Sequence, residues 1–249
     1  MIIDHPTREM LPGLWQLWQE AFGDDEEFLS RFAATAFSPS RCFALQEGEQ
    51  LAAALYWFDC TCRGEKLAYL YAVATAKAFR GRGLCKALMA HTHRHLASMG
   101  YAGVILVPGE ASLFRFYGEM GYRPFGGMEE LLCTPKGTAK LQPLDSKTYS
   151  LRRRDYLPEG AVLQEGVNLA FLQCYATFYE GKDFLLAARR EGDRLMGLEL
   201  LGEADAAGGI LQALGCSQGC FRRPGQDPFA MFLPLKPTPA PTYFAFAFD

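Results

Sequence analysis

The sequence predicts a mixed α/β protein built as two successive units, on three observations. Strand-like apolar runs alternate with segments whose apolar residues recur every third or fourth position. A strand runs through Arg80-Gly81-Arg82-Gly83 directly into a helix. The stretch from Thr134 to Ser150 is rich in Lys, Pro, Thr, Gly and Ser and poor in large apolar groups, which divides residues 1–135 from a second unit, 147–249.

A short first strand leads into two helices. Leu14, Leu17, Trp18 and Phe22 recur at helical spacing, and the acidic run Gly23 to Glu27 ends one helix and caps the next. Cys42 to Leu45 and Leu51 to Phe58 read as a hairpin around the polar turn Gln46 to Gln50, and Leu67 to Thr75 as a third strand. Leu84, Leu88, Thr92, Leu96 and Met99 then form a helical stripe that Gly100 caps. Tyr101 to Val107 is a buried strand, Glu110 to Met120 a short helix closed by Gly121, and Tyr122 to Phe125 a strand. The second unit reads as a strand at Tyr149 to Arg153, a helix at about Val162 to Tyr175, and a hairpin around Arg190 to Asp193. A short helix and further strands end at Tyr243 to Phe248, where Phe alternates with Ala as in a strand with one buried face. Glu47 to Leu51 and Glu191 to Leu195 share a pattern, pointing to a weak internal repeat.

Composition narrows the function. With 49% hydrophobic and 21% charged residues the chain is globular rather than disordered. Against 28 acidic residues stand 25 Lys and Arg, so no bulk charge invites nucleic acid. The apolar runs fall short of the roughly 20 residues that span a bilayer, and residues 1–10 lack the features of an export signal, so a soluble, cytoplasmic protein is expected, with no membrane partner. The eight cysteines include no Cys-x-x-Cys pair and read as reduced, packed thiols. No metal is assigned: His91 and His95 share a helical face without a third ligand, and His91, His93 and His95 read as solvated imidazoles. Arg152, Arg153 and Arg154 read as a solvated basic run.

The chemistry is concentrated at the glycine-containing junction. Backbone amides at a helix start have no intrahelical partner, and with the helix dipole and close-approaching glycines they cradle a phosphate or pyrophosphate. Neither the Walker pattern nor the Gly-x-Gly-x-x-Gly fingerprint is present.

Arg80-Gly81-Arg82-Gly83-Leu84-Cys85 closely resembles the acyl-coenzyme A signature Gln/Arg-x-x-Gly-x-Gly/Ala of the GNAT superfamily of N-acetyltransferases, departing at Cys85. Downstream, Phe116 to Tyr122 looks like the family's Tyr-x-x-x-Gly-Phe/Tyr segment. The resemblance covers about residues 1–130 and implies a mixed, mostly antiparallel sheet flanked by helices and split near its middle by the cofactor. The second unit then looks like a degenerate partial copy, as in tandem-domain members.

By that resemblance, Val73, Ala74 and Thr75 offer backbone groups to the pantetheine arm, and Arg80, Gly81, Arg82, Gly83, Leu84 and Cys85 bind the pyrophosphate of acetyl-coenzyme A. Tyr117 matches the tyrosine that protonates the departing thiolate, a role suited to a phenol of pKa near 10. Glu110 replaces the frequent Asn seven residues before that Tyr, and Lys77 replaces a usual proline; Glu110 either contacts the cofactor or serves as base. In some tandem-domain relatives the C-terminal carboxylate enters the active site, which makes Asp249 a further candidate. The implied activity is direct acetyl transfer to a primary amine of a small molecule or peptide. The alternative is a non-catalytic acyl-coenzyme A sensor or scaffold. A homo-oligomer is left open.

Overall fold

The computed structural model describes residues 1–248. They fall into two compact units, one comprising Met1–Arg123 with Met231–Ala240, the other 124–230 with 241–248.

The first unit runs β1 (Ile2–Asp4), α1 (Leu11–Phe22), α2 (Glu26–Thr35), β2 (Cys42–Glu47), β3 (Gln50–Cys62), β4 (Glu65–Thr75), α3 (Leu84–Ser98), β5 (Gly103–Leu106) and α4 (Ala111–Gly118). Its sheet follows chain order from β1 to β5, antiparallel except for the parallel β4–β5 pair, and Met231 to Pro234 pair antiparallel with β5. The helix boundaries follow local chemistry: Gly23 ends α1 at φ 78°, and the Asp25 side chain caps α2 by accepting from Phe28 N at 2.8 Å. Leu45, Leu55, Leu70, Leu88, Met89 and Val104 form the core between the sheet and α3.

Two irregularities open the sheet. Between Ala54↔Ala74 and Tyr56↔Tyr71 the register slips by one residue on β4, and Ala72 takes a left-handed φ of 48°. Such a bulge bends its strand. Pairing of β4 with β5 stops at Tyr69↔Ile105, so β4 continues to Thr75 beyond the reach of β5.

The second unit begins within a strand, β6 (Arg123–Cys133), and continues β7 (Gln142–Leu144), α5 (Ser146–Tyr156), α6 (Val167–Leu172), β8 (Thr177–Glu180), β9 (Phe184–Glu191), β10 (Arg194–Gly202), α7 (Ala206–Leu214) and β11 (Gln218–Pro224). A last strand, β12 (Asp227–Pro234), carries the chain back into the first unit at Met231. From β7 to β11 the elements and their pairing senses repeat those from β1 to β5, including a single parallel pair, β10–β11. By this order the β9–β10 turn at Glu191 corresponds to the β3–β4 turn, not to the Glu47 turn that it echoes in sequence.

Several local expectations for this unit are corrected. Tyr149 to Arg153 is helical, because Asp145 caps α5 at Thr148 N (2.7 Å) and the buried Tyr149 and Arg153 lie four residues apart on one helical face. Of the three arginines, Arg152 and Arg154 remain solvated at the surface, paired with Glu180 and Glu165, whereas Arg153, 2% exposed, is buried in a bidentate bond to the fully buried Glu199 at 2.6 and 2.8 Å. The expected helix from Val162 begins only at Val167, after Gly166 at φ 57°. Tyr243 to Phe248 forms no strand beyond one bridge from Tyr243 to Ala161. Its alanines are as buried as its phenylalanines, so alternation did not mark two faces, and the Gln164 side chain satisfies both backbone groups of Phe246, at 2.7 and 3.0 Å.

Candidate active site

The splayed end of β4 leads directly into the glycine loop. Lys77 to Phe79 make one tight turn, anchored by Lys77 N donating to Glu20 Oε1 at 2.6 Å. The Arg80 side chain folds back, its Nε donating to Thr75 O at 3.0 Å. Gly81 and Gly83 have φ of 75° and 76°, and open space lies where a Cβ would stand at either position. The glycines are therefore required by backbone conformation, and they leave the approach to the loop clear. Gly83 is the N-cap of α3 and brings no side-chain cap, so the first amides of that helix and the positive end of its dipole face outward.

A cleft of about 750 Å³ collects these elements. On one side stand Val73, Ala74 and Thr75; along the loop and helix start stand Arg80, Gly81, Gly83, Leu84 and Cys85; from α4 come Glu110 and Tyr117. Arg82 is turned away, its guanidinium paired with Glu47 at 2.8 Å and lying over the Phe79 ring. Sequence reasoning missed Ala21, Phe22, Phe79, Lys86, Leu113 and Phe116 as parts of the same wall. Lys86 adjoins the glycine motif, and Phe116 lies within the segment already singled out, without a role assigned to it. Ala21 and Phe22, at the far end of α1, carry no local signal.

Tyr117 is 8% exposed, packed against Phe116 and Tyr122 with ring centroids 5.2 and 5.9 Å away. Burial, with Cys85 nearby, holds its phenol above the ordinary range, so it stays protonated. Burial likewise pushes the Cys85 thiol up to about 11, which makes it a packing group rather than a nucleophile. Glu110 is exposed at the N-cap of α4 and accepts a hydrogen bond from the Ser112 hydroxyl.

The histidines of α3 are not solvated imidazoles. His93 Nε2 lies 2.7 Å from the hydroxyl of the fully buried Tyr122, and burial lowers its pKa to about 4. His91 and His95 set their edges against Phe43, at 4.8 and 5.0 Å. Among the described residues no group of three or more His, Cys, Asp or Glu is arranged to hold a metal ion, and no helix is long and apolar enough to cross a membrane. Asp249 lies outside the described residues.

The second unit differs at the corresponding junction. Glu203 and Asp205 precede α7, and the backbone of Lys136 crosses that helix at Gly208, with Lys136 N donating to Gly208 O at 3.0 Å.

Residues 3–125 match the acetyltransferase (GNAT) domain family. Among solved structures the chain is similar to a conserved protein of Enterococcus faecalis V583, at 16% identity and a TM-score of 0.71, over 94% of this chain and 72% of that one. It is similar to a GCN5-related N-acetyltransferase from Anabaena variabilis ATCC 29413, at 14% identity and TM-score 0.71, over 94% and 73%. A third likeness is to a GCN5-related N-acetyltransferase from Kribbella flavida, at 14% identity and TM-score 0.70, over 94% and 72%. At such identities the likeness is one of fold. No curated protein matches the sequence.

Proposed function

Residues 3–125 form an acetyltransferase domain of the GNAT family, and from that premise we propose that the chain transfers the acetyl group of acetyl-coenzyme A to a primary amine of a small molecule or peptide. One observation carries the reading: the uncapped start of α3, the end of β4 beyond its pairing with β5 and the buried Tyr117 all line a single cleft. In this reading the amides from Arg80 to Cys85 hold the pyrophosphate, where helix dipole and glycine conformation favour an anion. The pantetheine arm carries amides of its own, and Val73 to Thr75 offer it backbone where β4 has outrun β5.

The amine attacks the thioester carbonyl, forming the C–N bond, and a strand amide from Val73 to Thr75 stabilises the oxyanion. As the C–S bond breaks, Tyr117 gives its proton to the sulfur. Glu110 is the carboxylate on the cleft wall and takes the proton of the amine, directly or through water. No covalent enzyme intermediate is needed.

The repeated element order supports reading the second unit as a degenerate GNAT-like domain. Glu203 and Asp205 at the start of α7 would repel a pyrophosphate, so this unit has a supporting rather than catalytic part. All eight cysteines are free thiols, which supports a reducing, cytoplasmic location.

The test is calorimetric titration with acetyl-coenzyme A and coenzyme A. Micromolar binding is expected for the wild-type protein, and its loss in Gly83→Trp. Absence of binding to the wild-type protein overturns the reading.

A further inference from the structure

We infer that Lys86 receives the 3′-phosphate of coenzyme A at the mouth of the cleft, so that the protein distinguishes the cofactor from its 3′-dephospho form. The inference rests on the acyl-transfer reading above and adds a specificity-determining residue to the same site. Coenzyme A carries two anionic groups: the pyrophosphate, and a phosphomonoester on the 3′-oxygen of the same ribose, with a charge of about −1.5 to −2 at neutral pH. The amides from Arg80 to Cys85 serve the first, and the second is best met by a full positive charge.

Among the described residues two cations line the cleft, Arg80 and Lys86. They serve different parts of the cofactor. Arg80 is folded back by the bond from its Nε to Thr75 O, which sets its guanidinium beside the end of β4, where the pantetheine arm runs inward. Arg82 is turned out of the cleft, and its charge is met by Glu47. Lys86 lies in the first turn of α3, three residues beyond Gly83, with its ammonium 5.6 Å from the centre of the Phe116 ring on α4. Burial gives the direction in which the cofactor lies: Tyr117, the acid for the thiol end, is buried, whereas Lys86 is half-exposed. With the pyrophosphate on the amides of Leu84 and Cys85, the 3′-phosphate stands one ribose ring further toward solvent, within the reach of a lysine side chain.

The partner that Lys86 now holds is exchangeable. Its Nζ lies 3.0 Å from Glu119 Oε2, and both side chains are half-exposed, where an ion pair contributes little. A phosphomonoester offers nearly two charges and three acceptor oxygens in place of one carboxylate. Glu119 is not stranded by the exchange, because Arg115 Nε lies 3.9 Å from its Oε1.

Calorimetric titration with coenzyme A and with 3′-dephospho-coenzyme A, on wild-type, Lys86→Met and Glu119→Gln proteins, tests this. The wild-type protein should bind coenzyme A roughly tenfold more tightly than the dephospho form, the size of one hydrogen bond to a charged group. In Lys86→Met that ratio should fall to about 1–3, with the Kd of the dephospho form changed by less than about threefold. Glu119→Gln frees Lys86 and should raise the ratio, by up to about fivefold. Because both ligands are read on the same protein, partial loss of fold cancels from the ratio. Equal affinity of the wild-type protein for the two ligands, equal weakening of both in Lys86→Met, or a lower ratio in Glu119→Gln overturns the inference and leaves acyl transfer standing. Failure of the wild-type protein to bind either ligand overturns acyl transfer itself, and this assignment with it.

Discussion

Replacing Tyr117 by Phe removes one oxygen and nothing else from the cleft. The ring keeps its contacts with Phe116 and Tyr122, so the fold and the affinity for coenzyme A should persist. What is lost is the proton donor. General acids contribute about 10²–10⁴ in rate, and the structure points to the lower end. Burial raises the phenol above its ordinary pKa near 10, whereas a thiol lies near 8.5, so transfer to the leaving sulfur is uphill by about 1.4 kcal/mol per unit of that gap. We expect kcat to fall by roughly 100-fold, about 2.7 kcal/mol of barrier, with the coenzyme A Kd changed by less than about threefold. The raised pKa also sets a sign: the acid form persists as pH rises, so the wild-type rate should show no alkaline decline from this group below about pH 10. Stopped thiol-release assays with a saturating amine, paired with calorimetry, read both quantities. If Tyr117→Phe keeps more than about a third of kcat at unchanged affinity, Tyr117 is not the acid and the proton reaches sulfur by another route.

Three further outcomes concern stability. Arg153→Met strands the buried Glu199 carboxylate and should cost about 3–5 kcal/mol in urea unfolding, whereas Arg153→Met with Glu199→Leu should recover most of it. The same loss in the single and double variants would show that the pair is not coupled. His93 is held neutral, with a folded pKa of about 4 against 6.5. A depressed folded value means that its contribution is present above pH 6.5 and is lost as pH falls toward 4, by up to about 3 kcal/mol. Thermal melts of wild-type and His93→Gln proteins over that window should converge at low pH, and parallel curves would refute the assignment. Gln164→Ala leaves the buried amide and carbonyl of Phe246 without their side-chain partner. It should cost about 2–3 kcal/mol and make the C-terminal segment exchange its amides faster, which hydrogen exchange would detect.

What was legible in the sequence was governed by short-range chemistry. Gly23 and Asp25 set the α1–α2 turn because a left-handed cap and a carboxylate N-cap act within four residues. Gly81 and Gly83 announced the loop because only glycine adopts their φ freely, and the loop, α3 and Tyr117 do share one cleft. Where a side chain's partner is distant in the chain, local pattern misled. Arg152 to Arg154 read as solvated because three successive cations usually are, yet Glu199, 46 residues beyond Arg153, neutralises the middle one in the interior. Tyr243 to Phe248 read as a strand because Phe alternates with Ala, but alternation implies two faces only when one is wet, and here both are buried. Phe22 gave no sign of its place on the cleft, because proximity to β4 and α3 is created by packing α1 across the sheet. The sequence alone thus determined the glycine loop, the capped helices and the phenol beside them, since these depend on backbone conformation and near neighbours. The tertiary structure decided which charges are buried in pairs, how far β4 outruns β5, and that Phe22 borders the cleft, since each depends on contacts between segments remote in sequence.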